Sequence, residues 1–216
     1  MEYAAPKLTA IEINATCYGR QKPESWRKWG DAVPDGFQFS VKASRYATAR
    51  KVLAEGSDSI EKFLDQGFTE LGDKLGPILW QFAPAKRFER DDFARFLDLI
   101  PDSRHGVPLR HTLEIRHESF DDPAFFDLAR ARNMAIVFAD SDDHPQIDQA
   151  TADFAYARLQ RTEESVETGY DAAALDGWAT KARAWAEGGR DAYVFFIAGA
   201  KVRNPAAAHM LITRLI

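Results

Sequence analysis

Cysteine occurs once in the 216 residues, at Cys17. A single thiol forms no disulfide within the chain and supplies no four-cysteine zinc site; that usage fits a cytoplasmic protein. The opening Met-Glu-Tyr-Ala-Ala-Pro-Lys has neither the basic nor the apolar region of a signal peptide. No apolar run approaches the roughly 20 residues that cross a bilayer, so no membrane-spanning helix is expected. Positive charge is also in short supply. Lys and Arg number 28 against 33 Asp and Glu, a net charge of -5, which gives no support for a broad basic surface that coats nucleic acid. Known catalytic signatures are missing as well. Ala-Thr-Cys-Tyr-Gly (15–19) follows the first strand where a phosphate-cradling glycine turn would stand, and there is no Gly-x-Ser-x-Gly elbow. His105, His111, His117, His144 and His209 lack the His-x-x-x-His spacing of a helical metal site. No cofactor and no metal is therefore assigned, although Glu12, Glu114, Asp140 and His117 have the donor chemistry for one divalent ion if the fold gathers them.

What is present is an ordinary globular composition, 45% hydrophobic and 28% charged, in a chain long enough to bury a core without staples. Period-two patterning predicts strands over 9–16, 37–43, 77–82, 111–117, 135–141, 153–159 and 191–198. Helical periodicity lies between them: from Pro23, over 59–75 and 91–100, from Pro123, over 172–187, and from Asn204 to the end. Residues 44–57 read as irregular, with Arg45, Arg50 and Lys51 among them. This alternation predicts one α/β domain over 1–216 with a parallel sheet, and seven strands suit a closed or nearly closed barrel. An open doubly wound sheet is the main alternative, less favoured because the first turn lacks its glycines.

Polar residues recur near the strand ends. They are Glu12 and Asn14, Ser40 and Lys42, Gln81, Glu114 and Arg116 with His117 behind them, Asp140, and Arg158. In a parallel barrel these ends meet at the C-terminal mouth, where sites are built. Buried charges require partners or a ligand. On the functional reading, Lys42, Arg116 and Arg158 hold an anion such as phosphate or carboxylate, with Asn14 and Gln81 as further contacts. Glu12, Glu114, Asp140 and His117 are then the acid–base candidates. On the structural reading the same charges form an ion-pair network. Trp80, beside Gln81, is a candidate for the pocket wall, and Cys17 reads as packing.

Several stretches resemble the YecE-like family, known as domain of unknown function 72. Glu-Ile-Asn-Ala-Thr-Cys-Tyr (12–18) is similar to its Glu-x-Asn-x-Thr-Phe-Tyr motif, and Leu-Glu-Ile-Arg-His-Glu-Ser-Phe (113–120) to its Glu-x-Arg-His-x-Ser-Trp. Residues 37–43, 72–84, 139–141 and 156–159 match in order. The resemblance implies a TIM-like (β/α) barrel with a pocket at its mouth and supplies no established activity; a likeness of some members to endonuclease IV-type barrels suggests DNA binding. Three departures stand out: Phe120 in place of Trp, Phe-Ile-Ala-Gly-Ala-Lys (196–201) in place of an Asn-rich segment, and a start after the family's usual first strand and helix. Seven strands, or a misassigned gene start, are the expectations, with an open edge between the strands at 9 and 191. Three functions follow: an enzyme for a small anionic or phosphorylated substrate with acid–base or hydrolytic chemistry, a nucleic-acid-binding or nuclease-like barrel, or a non-catalytic ligand-binding or scaffold barrel. No oligomeric state is readable.

Overall fold

The computed structural model describes residues 6–216; the first five, included in the search for a targeting segment, lie outside the described residues. Seven strands alternate with helices: β1 (Ala10–Ile13), α1 (Pro23–Asp31), β2 (Gln38–Lys42), α2 (Arg45–Thr48), α3 (Ser57–Leu64), β3 (Leu75–Gln81), α4 (Arg90–Asp98), β4 (His111–Glu114), α5 (Pro123–Ala131), β5 (Ala135–Asp140), β6 (Phe154–Leu159), α6 (Ala172–Trp185), β7 (Asp191–Phe196) and α7 (Asn204–Leu215). The strands pair in chain order, every pair parallel. The outer strands, β1 and β7, approach to within 8 Å at their Cα atoms. No backbone hydrogen bond joins them among the described residues. The result is a nearly closed TIM-like barrel with one unzipped seam, and the doubly wound alternative does not apply. Among the described residues no helix is long and apolar enough to cross a membrane.

The α/β alternation has a packing cause. Each strand offers one row of side chains to the barrel interior and the other to the helices. Leu79, Ala135, Val137, Phe154, Tyr156 and Phe195 fill the inside. Phe39, Val41, Ile78, Trp80, Phe82 and Leu113 face the helical layer. There Phe93, Phe96, Phe120 and Phe125 form an aromatic cluster with ring centres 5.1–5.9 Å apart. Phe120 is completely buried in that cluster, so the departure from Trp alters helix packing and leaves the mouth untouched.

Three local predictions are corrected. The helix expected over 59–75 breaks into α3 and a 3₁₀ segment, Phe68–Lys74, because Gly67 takes a φ of 93°. A side chain at 67 would also press on Pro23, with atoms 3.1–3.2 Å from the Cβ position. The stretch 44–57, read as irregular, contains α2 and a 3₁₀ turn. Trp80, read as a possible pocket wall, lies fully buried on the helix side between Phe63 and Phe96.

His111 is built into the same layer. The Trp80 indole N–H donates to its Nδ1 at 3.2 Å, and Nε2 lies 2.9 Å from the Pro101 carbonyl. With Nδ1 accepting, Nε2 carries the proton and donates to that carbonyl, so the neutral ring is fully satisfied. Burial lowers its pKa from 6.5 to about 4. The unfolded chain therefore takes up this proton first as pH falls. Stability from this group is complete above 6.5 and drains away down to about 4, a loss of about 3 kcal/mol. Urea titrations at pH 7.5, 5.5 and 4.5 should show a shallower decline for His111→Gln than for wild type. Parallel declines would remove His111 from the acid response.

Candidate functional site at the barrel mouth

The inward rows of β1, β2, β3, β4 and β6 end in polar side chains, and these meet. Arg158 is the centre. Its Nε and Nη2 donate to the two carboxylate oxygens of Glu12 at 3.0 and 2.9 Å, and Nη1 donates to Glu114. The side chains of Arg158, Glu12 and Glu114 are no more than 3% exposed. Arg116 donates to the other Glu114 oxygen from Nε and Nη2 at 3.2 and 3.0 Å, and the Gln81 amide donates to Glu114 at 2.6 Å. Asn14 donates to Glu12 at 2.9 Å. Across the barrel the Tyr156 hydroxyl donates to Glu12 at 2.8 Å, and Ser40 lies 2.7 Å from that hydroxyl. With the Tyr156 proton given to Glu12, the single Ser40 proton is within reach of both the Tyr156 oxygen and the Pro77 carbonyl, 2.8 Å away.

Burial opposes each of these charges, and the pairing overcomes it. Burial pushes the Glu114 carboxyl up, but Arg158 and then Arg116 hold it below the usual carboxylate range. Burial likewise works against the Arg158 cation, and Glu114 and Glu12 more than compensate, so it stays charged. Burial and then Glu12 raise the Tyr156 hydroxyl, which stays protonated.

Lys42 ends the inward row of β2 and is 8% exposed. Among the described residues its ammonium makes no ion pair; Glu12 and Glu114 are both taken by arginines. Burial first, and then repulsion from Arg158, lowers its pKa. The mouth therefore carries Arg158, Arg116 and Lys42 against Glu12 and Glu114, an excess of one cation when Lys42 is protonated.

Seven of the nine residues chosen from sequence thus meet: Glu12, Asn14, Lys42, Gln81, Glu114, Arg116 and Arg158. Two do not. Asp140 lies on the opposite row of β5, beside Phe138, which packs on Trp178 and Trp185 of α6. It accepts from Tyr170 at 2.9 Å and pairs with Arg161 at 2.7 Å. His117 caps a 3₁₀ turn, with Nδ1 accepting the Ser119 amide at 3.0 Å. The four-donor divalent site considered above is accordingly not assembled: among the described residues no three His, Cys, Asp or Glu groups are placed to hold a metal. Tyr156 was missed, although it stands two residues before Arg158 and so shares its face.

A parallel α/β barrel with its polar side chains gathered at the C-terminal ends of the strands defines a TIM-like barrel protein with a mouth site. More narrowly, the chain belongs to the DUF72 family, described as "Protein of unknown function DUF72", whose family model matches residues 1–216. It is 27% identical over 147 residues to the UPF0759 protein YunF of Bacillus subtilis, covering 65% of this chain and 51% of that one. To the UPF0759 protein YecE of Escherichia coli K12 it is 29% identical over 114 residues, covering 51% of this chain and 41% of that one. The matches thus span about half the length of these relatives. Two crystal structures share the fold. The DUF72 protein EF0366 of Enterococcus faecalis superposes with a TM-score of 0.79 at 17% identity, covering 100% of this chain and 93% of that one. TM1631 of Thermotoga maritima gives 0.68 at 22%, covering 94% and 82%.

Proposed function

We propose that this barrel is an enzyme that takes a small anionic substrate, bearing a carboxylate or phosphate, at its C-terminal mouth. Lys42 is the observation that carries the reading: a nearly buried ammonium with no carboxylate of its own, at the end of a barrel strand. An unpaired buried cation costs stability that an incoming anion restores. Arg116, its side chain 23% exposed, supplies a second donor pointing toward solvent. Glu12 and Glu114 serve in this reading to hold Arg158, rather than as proton donors. Proton transfer then falls to the Lys42 amine, whose lowered pKa brings it closer to neutral pH.

Thermal shift with phosphate, phosphorylated metabolites and small carboxylates tests this. Wild type should be stabilised by at least one such anion. Lys42→Met and Arg116→Ala should each weaken that anion by about tenfold or more. Lys42→Met should also leave the ligand-free melting point unchanged or raise it, since it removes an uncompensated charge. If no anion binds, or Lys42→Met melts far below wild type, the charges hold the barrel together and the scaffold reading replaces this one.

A further inference from the structure

Beside the mouth, the chain after β1 and the α2–α3 region line a pocket of about 390 Å³, a volume suited to a small organic ligand. Its wall holds Arg20, Arg50 and Lys62 and, among the described residues, no carboxylate. With Arg45 at its rim, these are four cations that form no ion pair among the described residues, in a chain of net charge -5. Two acids of the same region, Glu61 and Asp65, are both engaged by Arg104.

The second component is aromatic. Tyr18 and Tyr46 line the same pocket and are 68% and 59% exposed, where most rings of this protein are buried. The Arg45 guanidinium lies 5.5 Å from the centre of the Tyr18 ring and 5.3 Å from that of Tyr46, so the two rings share one cation. Arg50 is held in place, donating to the Tyr46 carbonyl at 2.9 Å and to the Ser59 hydroxyl at 2.7 Å. Thr16 joins this pocket to the mouth: it lines the wall, and its hydroxyl donates to the Lys42 carbonyl at 2.6 Å.

Exposed rings offer a face to a planar π-system, and unpaired cations offer a seat to phosphate. Both within one small pocket match one chemical class. We infer that this pocket binds a nucleotide, its base stacked on the exposed Tyr18 ring beside Tyr46 and its phosphate held by Arg50 and Lys62. The inference is independent of the anion site at Lys42. A free nucleotide and one unit of a single strand present the same chemistry, and the experiment separates them.

The probes are AMP, adenosine, inorganic phosphate and a single-stranded oligonucleotide of about ten nucleotides, titrated calorimetrically. AMP should bind more tightly than adenosine or phosphate, because only AMP uses both components. Tyr18→Ala and Lys62→Ala alter exposed side chains, and each should weaken AMP by about fivefold or more with the melting point unchanged. Phosphate bound at the mouth alone would not respond to Tyr18→Ala. Tighter binding of the oligonucleotide than of AMP, with an affinity that falls steeply with salt, would assign the pocket to single strands. Absence of saturable binding by both nucleotide probes, or binding indifferent to both substitutions, overturns the inference.

Discussion

Arg158→Met should cost about 3–5 kcal/mol in urea unfolding at pH 7.5, the penalty of stripping one partner from a buried ion cluster. The substitution leaves Glu12 and Glu114 facing a cavity without the guanidinium that both now grip. The defect has a pH signature. In wild type Glu114 is held below the ordinary carboxylate range, so its contribution is present above that range and lost only as pH falls beneath it, toward the lowered folded value. In the variant Glu114 keeps only Arg116 against its burial, so its carboxyl rises and acid relieves it. The gap between the two proteins should therefore narrow on moving from pH 7.5 toward 5. A gap that is small at pH 7.5, or that widens in acid, would mean that Arg158 does not hold the network together.

A comparable loss is expected on the other side of the sheet. Trp80→Ala should destabilise by about 3–5 kcal/mol, because the indole is completely buried and the layer around it is rigid. Ring contacts to Phe63, Phe96 and His111 disappear together, and His111 loses the donor to its Nδ1. Trp80→Phe keeps most of the apolar contact and should lose far less. Equal losses for the two variants would place the stabilisation in the indole N–H rather than in the packing. Anion affinity at the mouth should survive Trp80→Phe, since the ring faces the helices and not the barrel interior.

Strand alternation made most of this architecture legible in the sequence. Glu12, Ser40, Lys42, Glu114, Arg116 and Arg158 share a phase with their neighbours, and the barrel turns that phase inward. Where the reading failed, the cause was phase or partner. Asp140 has the right residue type at a strand end, but Val137 and Ala139 take the inward positions of β5 and send it outward, to Tyr170 and Arg161. No local pattern announces those two partners, which arrive from the loop between β6 and α6. Trp80 was misplaced for the same reason: next to an inward Gln81, it must face the other way. His117 shows a different limit, since a histidine behind Glu-x-Arg looks chemical until its ring is seen closing a turn. The pairing of both glutamates with one arginine, which leaves Lys42 alone, depends on side chains 44 and 146 residues apart and was not readable from spacing.

The seam between β1 and β7 gives the network a mechanical meaning. Elsewhere the ring of strands is fastened as a zipper is, rung by rung, through backbone amides. At the seam there are no rungs among the described residues, and on that side β1 is secured by a clasp: Glu12, gripped by Tyr156 and Arg158 from the sixth strand. A zipper yields gradually, whereas a clasp is shut or open. Parting β1 from β7 would pull Glu12 away from Tyr156 and Arg158, so the seam cannot open without dismantling the charge cluster at the mouth.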